Sequence, residues 1–203
     1  MRVFTDPPDA WYGSTFELVL DLGPASGERL LAAATAVWDA PELRGCYLEA
    51  NKEPAEQCAV RPDDVMHNAP GAHLRGLATL PNGATVACST YGLCIDGEAD
   101  QLIVALPLGS LATAYPIGAY PIDDGTPLDW RPELEDWFTA LARRAWIPGS
   151  VRLGTIGAGT AGFLEAAPVL REGIPAERWE AYLWPGPDGP KLHRANMPAP
   201  ISF

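Results

Sequence analysis

The residues most suggestive of chemistry are six in a row, Gly157-Ala158-Gly159-Thr160-Ala161-Gly162. Behind a strand and ahead of a helix, the spacing G-x-G-x-x-G cradles a pyrophosphate on backbone N–H groups. Residues 151–156 read as a strand, which meets the first condition. The chain beyond does not meet the second. Only 41 residues follow Gly162, too few for the remaining parallel strands. Pro168 falls within the second turn of any following helix. No acid ends the next strand, where a ribose contact belongs; Glu180 precedes it. The glycines are therefore expected to serve backbone geometry, as a bulge or a close approach of two backbones.

Nucleophilic catalysis needs a base beside the nucleophile. The three histidines are His67, His73 and His193, and no G-x-S-x-G accompanies them. Cys46 follows Gly45 at the start of a strand, which suits packing better than attack. The carboxylate pairs Asp63/Asp64 and Asp123/Asp124 stand in turn-like settings, where carboxylates are usually solvated. The long connection 51–73 gathers Cys58, Asp63, Asp64, His67 and His73. Such ligands suit a metal, but their spacing matches no recognised site. No metal and no cofactor are expected. The four cysteines Cys46, Cys58, Cys88 and Cys94 form no C-x-x-C and are expected to be reduced. Cys88 and Cys94, on either side of Tyr91-Gly92, are the one pair that a bend could bridge.

Binding without chemistry fits the composition better. Tyr115, Tyr120, Trp130 and Trp184 fall near strand ends and loops, and Glu165 and Glu180 lie in the same half of the chain. Aromatic rings with a carboxylate suit a cationic or amphipathic organic molecule, through cation–π contact and charge pairing. Tyr115, Tyr120, Trp130 and Glu180 are the expected lining.

These residues must be positioned by an α+β scaffold. Phe16-Glu17-Leu18-Val19-Leu20-Asp21-Leu22 alternates in part and reads as a half-buried strand. Gly23-Pro24 ends it. Ser26 can cap a helix over residues 27–39, whose apolar face is Leu30, Leu31, Ala34, Val37 and Trp38. Pro41 stops that helix, and residues 44–50 return as a strand. Residues 74–80 and 84–93 flank Pro81-Asn82-Gly83. Asn-Gly suits the positive φ angles of a type I′ hairpin. With residues 101–106 they make a three-stranded antiparallel meander, foreign to a parallel dinucleotide-binding sheet. The clearest helix spans residues 130–146. Leu134, Trp137, Phe138, Leu141 and Ala145 form one stripe, Glu133, Glu135 and Asp136 lie at the positive end, and Arg143 and Arg144 at the negative end. Residues 151–156 and 180–184 read as further strands. Residues 163–170 read as a short helix interrupted by Pro168, and residues 185–190 as a turn before an irregular tail.

The expected fold is an antiparallel-rich sheet with two main helices on one face, in a single domain 1–203. Residues 16–50 and 102–157 share the order strand, helix, strand. That suggests two pseudo-duplicated halves, 16–100 and 101–184.

The 203 residues carry a net charge of −12, with six basic and fifteen acidic residues among the first hundred. Such a field repels phosphate backbones, which argues against nucleic acid, and it would draw in a basic protein or a cationic molecule. No apolar run of about 18 residues is present, so no membrane span is expected. The N-terminus has no hydrophobic stretch behind its charge, which leaves a cytoplasmic location as the expectation.

Leu106-Pro107-Leu108-Gly109, then Ile117-Gly118-Ala119-Tyr120, then the Trp-containing helix 130–146 resemble the second module of the gyrase-inhibitor-like, effector-binding domains. The resemblance implies two strand–helix–strand–strand modules with an organic ligand in the groove between them. Three readings follow. The first is a non-catalytic protein that binds a small organic ligand, cationic or amphipathic, between its halves. The second is an acidic inhibitor or immunity-type protein with a basic protein partner. The third is an enzyme of unknown class that uses the 58–73 region.

Overall fold

A computed structural model describes residues 2–5, 10–66, 71–94, 99–117, 129–146, 149, 151–161 and 166–197. The spine of the fold is β1 (Thr15–Pro24), which pairs antiparallel with β5 (Ala99–Pro107) on one side and with β6 (Leu153–Ala158) on the other. Beyond β5 lie β4 (Thr85–Leu93), β3 (Leu74–Thr79) and the edge strand β2 (Leu43–Tyr47). Beyond β6 lie β7 (Ala181–Gly186) and β8 (Gly189–His193). The eight strands form one antiparallel sheet in the order β2-β3-β4-β5-β1-β6-β7-β8.

The two long helices are α1 (Gly27–Trp38) and α4 (Arg131–Ala145). The short ones are α2 (Pro62–Met66), α3 (Leu108–Leu111) and α5 (Ala166–Glu172). The Ser26 hydroxyl caps α1 by accepting the Arg29 N–H at 3.4 Å. Both long helices lie on one face of the sheet and touch each other. Their apolar stripes close over Phe16, Leu18, Leu20 and Leu22 of β1 and Leu102, Val104 and Leu106 of β5. A fully buried side chain such as Leu18 or Phe138 contributes roughly 2 kcal/mol of transfer free energy. The Trp137 Nε1–H donates to the Thr79 carbonyl at 3.1 Å, which ties α4 to the end of β3.

The α+β class, the antiparallel meander β3-β4-β5 and the two helices on one face agree with the sequence expectation. Among the described residues no helix is long and apolar enough to cross a membrane.

Several details differ. The turn at Asn82-Gly83 is not type I′, because only Gly83 has a positive φ, +83°. Pro81 locks its own φ negative, so the positive φ that a two-residue I′ turn needs at both central positions is unavailable. The chain instead turns over Pro81 and Asn82, with the Gly83 N–H donating to the Leu80 carbonyl, and Gly83 makes the left-handed step. Pro168 does not interrupt α5, which runs on through it to Glu172; residues 163–165 of the expected helix lie outside the described residues. The tail holds a strand that sequence reasoning missed: β8 pairs with β7 through a Pro187-Asp188 turn closed by Gly186 opposite Gly189.

The two strand–helix–strand frames are threaded differently. β2 lies at the sheet edge, while β6 lies directly beside β1. The similarity of element order therefore does not extend to strand order.

On α4, Glu135 is not a solvated dipole partner. It is 1% exposed, paired with Arg131 at 3.2 Å and with Arg194 at 3.3 Å. Arg194 also grips Asp136 at 2.7 Å and thereby ties the tail to the helix.

Candidate functional site

β1 was expected to be half-buried, yet residues 16 to 23 are all buried. Its second face is covered as well. Val19, Ile103 and Ala105 form a small apolar cluster there with Tyr91, Leu93 and Ala161 packed against it. Leu153 and Tyr182 pack under α5, with Ala166, Val169 and Leu170. Covering that face removes Glu17 and Asp21 from water. Asp21 is answered by Arg152, whose Nε and Nη2 reach its two oxygens at 2.7 and 2.9 Å.

Glu17 is answered differently. It stands opposite Gly157 in the β1–β6 register and is 1% exposed. The Thr15 hydroxyl donates to its Oε2 at 2.6 Å, and the Ala161 N–H donates to its Oε1. The Thr160 N–H faces the same carboxylate. The chain can turn back over β1 because Gly159 adopts φ +61°, with its N–H on the Thr15 carbonyl at 3.0 Å. The anion held by this glycine-rich loop is thus the protein's own carboxylate. Burial pushes the Glu17 carboxyl up from its ordinary value; the donated hydrogen bonds oppose that shift without cancelling it.

Around Glu17 lies a polar cluster on the same face. Thr155 stands opposite Val19 on β1 and Tyr182 on β7. Glu180, immediately before β7, lies over Gly157: a Cβ added there would come within 2.7 Å of Glu180 Cγ and 2.9 Å of Thr160 Cγ2. Glu180 accepts from the Tyr182 hydroxyl, and burial raises its carboxyl despite the pull of that bond and of nearby Arg131. Tyr91 approaches from β4. Burial and then the charge of Glu17 push its phenol up to about 12. Its ring stacks on His73 at 4.3 Å, and burial, aided by Arg75, lowers the imidazole.

Two buried hydroxyls in the cluster lack partners. Thr155 Oγ1 and Thr160 Oγ1 make no hydrogen bond of good geometry, although Thr160 Oγ1 points toward Glu17. Buried polar atoms without partners are uncommon, and each calls for an explanation. Gly157→Ala is expected to push Glu180 and Thr160 away from the sheet and to lose about 1–2 kcal/mol of stability through overpacking, read by urea denaturation. Unchanged stability would show that the gap at Gly157 is not needed.

The expected lining residues divide between the two faces. Tyr115 and Trp130 belong to the helix-side core, with ring centroids 6.0 Å apart. The Tyr115 hydroxyl donates to Glu133 at 3.2 Å, and Trp130 meets Phe16 edge-on at 5.2 Å. Glu180 is on the opposite side of the sheet, so the structure does not bring it to those rings. Tyr120 lies outside the described residues, as do His67, Asp123, Asp124 and Glu165.

The described residues of the 58–73 region do not gather either. His73 belongs with Tyr91, whereas Cys58 is exposed in an open groove of about 600 Å³ beside Leu48, Glu49, Lys52 and Gln57. Among the described residues no three His, Cys, Asp or Glu side chains could share a metal. All four thiols are free. Cys94 lies beside Asp100, and burial pushes the Cys46 thiol up to about 12.

Sequence reasoning missed Glu17, Tyr91 and Thr155. The only local signal was an acid at an alternating position of a strong strand. That acid reads as solvated until something is known to cover the second face.

Fold and site together define an α+β protein built on one eight-stranded antiparallel sheet, with two helices on one face and a desolvated carboxylate cluster on the other. Comparisons of the chain with protein-family models, with curated proteins and with solved structures find no match.

Proposed function

We propose that the protein is a non-catalytic binder of a small organic cation, taken on the sheet face opposite the long helices. The observation that carries this is the buried Glu17 carboxylate and the half-buried Glu180 carboxylate on either side of Gly157, with the unpartnered Thr155 hydroxyl beside them. Raised carboxyls mark places where a positive charge is most strongly favoured, because little water competes for the interaction. Tyr91 and Tyr182 supply aromatic walls. The site draws on both expected halves, with Glu17 and Tyr91 from 16–100 and Thr155, Glu180 and Tyr182 from 101–184. The net charge of −12 favours the approach of a cation.

The test is a thermal-shift series with aromatic amines, amidines and quaternary ammonium ions. At least one class is expected to raise the melting temperature by a few degrees, because a ligand that binds only the native state stabilises it. Glu180→Gln is expected to abolish the shift. A flat response across the whole series would sink the reading.

A further inference from the structure

The turn between β3 and β4 places a nucleophile, an electrophile and a leaving group in two consecutive residues. We propose that Asn82 is a site of self-modification, latent while this turn is docked on the segment after α3 and reactive when the two part. The reaction needs only water. The Gly83 nitrogen attacks Asn82 Cγ, the Cγ–Nδ2 bond breaks, and ammonia leaves with the proton of the Gly83 N–H. Water then opens the five-membered imide at either carbonyl, giving aspartate or isoaspartate. Glycine favours the attack because it puts no side chain beside its nitrogen. A Cβ added at Gly83 would meet nothing within 4 Å, and both residues are exposed.

Docking holds each reacting atom. The Gly83 N–H donates to the Leu80 carbonyl at 2.9 Å, which opposes loss of its proton. Asn82 Nδ2, the leaving group, donates to the Ala114 carbonyl at 3.0 Å, and Asn82 Oδ1 accepts the Ala84 N–H at 3.0 Å. The Asn82 backbone N–H faces the Tyr115 hydroxyl, which in turn donates to Glu133 of α4. Ala114 stands 32 residues further along the chain, so this clamp is tertiary and lasts only while the turn stays docked. Exposed contacts of this kind open locally at far lower cost than the whole fold. Either product replaces the Nδ2 donor by a carboxylate, which cannot bond to the Ala114 carbonyl. An opening that ends in reaction therefore leaves the contact undone.

Mass spectrometry of the peptide that carries Asn82, after incubation of the full chain at mildly alkaline pH, measures the rate. Asn51, followed by Lys52, is the internal comparison. In urea sufficient to unfold the chain, Asn82 is expected to react at least about tenfold faster than in the native chain, and faster than Asn51. Tyr115→Phe keeps the ring in the core and removes the hydroxyl, and the native rate is expected to rise roughly threefold or more. Glu133→Ala, at an exposed position, is expected to raise it in the same direction and decides the matter if Tyr115→Phe does not fold. Equal rates in the native and unfolded chains would overturn the clamp, as would native rates unchanged in the folded variants. An Asn82 no faster than Asn51 in urea would remove the modification site itself.

Discussion

Glu17→Ala is expected to lose about 3 kcal/mol of folding stability, whereas Glu17→Gln is expected to match or exceed the wild type at neutral pH. The alanine leaves the Ala161 N–H and the Thr15 hydroxyl without their acceptor, in a place that is 1% exposed. Each buried donor left unserved costs about 1–3 kcal/mol. The glutamine keeps one carbonyl oxygen for the Ala161 N–H and removes a charge that the site already disfavours. The pH dependence has a definite sign. The folded-state carboxyl of Glu17 is raised above its ordinary 4.5. Its contribution to stability is thus fully present below that value and falls away as pH rises through the folded-state value. The wild type is expected to gain on Glu17→Gln as pH is lowered toward 4.5, with the glutamine variant equal or more stable at neutral pH. Urea denaturation of the three proteins across that range is the measurement. An alanine variant within about 0.5 kcal/mol of wild type would mean that the carboxylate does not hold the 159–161 loop, since changes of that size are ordinary for surface positions.

Glu53 should show the opposite behaviour. Its carboxylate accepts the N–H groups of Val3, Phe4 and Thr5 at 3.0, 3.0 and 2.7 Å, and the Thr5 hydroxyl at 2.7 Å. Burial alone would raise its carboxyl, but four donors outweigh burial and hold it down at about 2. They pin the start of the chain, so that Phe4 packs edge-on against Trp11 at 5.0 Å and against Tyr47 at 6.1 Å. A shift of this size from 4.5 corresponds to about 3 kcal/mol, and solvent screening at the rim brings that to about 2 kcal/mol. Because the folded-state value is depressed, this stability is present above about 4.5 and is lost as pH falls toward 2. Glu53→Gln is expected to lose most of it at neutral pH, to speed amide exchange at Val3, Phe4 and Thr5, and to converge with wild type at the acid end. Unchanged exchange at those three amides would show that the carboxylate is not what holds the arm.

The two residues illustrate what was legible. Glu53 sits in a polar connection and Glu17 in a strong strand; nothing local distinguishes either from a solvated acid. Their partners lie 48 to 50 residues away for Glu53 and as far as 144 for Glu17. Tyr115 and Trp130 show the converse. As aromatics near loops they read as lining, but the register of β1 turns Phe16 toward the helices, and both rings follow it into the core. Thr155 carries no local signal at all, because a hydroxyl becomes noteworthy only when burial leaves it without a partner.

Short-range physics was readable throughout. The stripe Leu134, Trp137, Phe138, Leu141 and Ala145 specifies α4, because those positions share one side of any helix and apolar surface seeks cover. Ser26 marks the start of α1, Asn82-Gly83 joins β3 to β4, and the antiparallel meander ahead of Gly157 is foreign to a parallel dinucleotide-binding sheet. These follow from spacing and turn chemistry within a few residues. They determined, from the amino acids alone, an antiparallel α+β protein whose glycine motif serves backbone geometry. Tertiary structure alone decided that β6 lies against β1, that α5 and the 159–161 loop pack on the second face, and that the loop's N–H groups turn onto Glu17. The physical reason is that desolvation is a non-local property: an acid on a strand is solvated or buried according to what the distant chain lays over it.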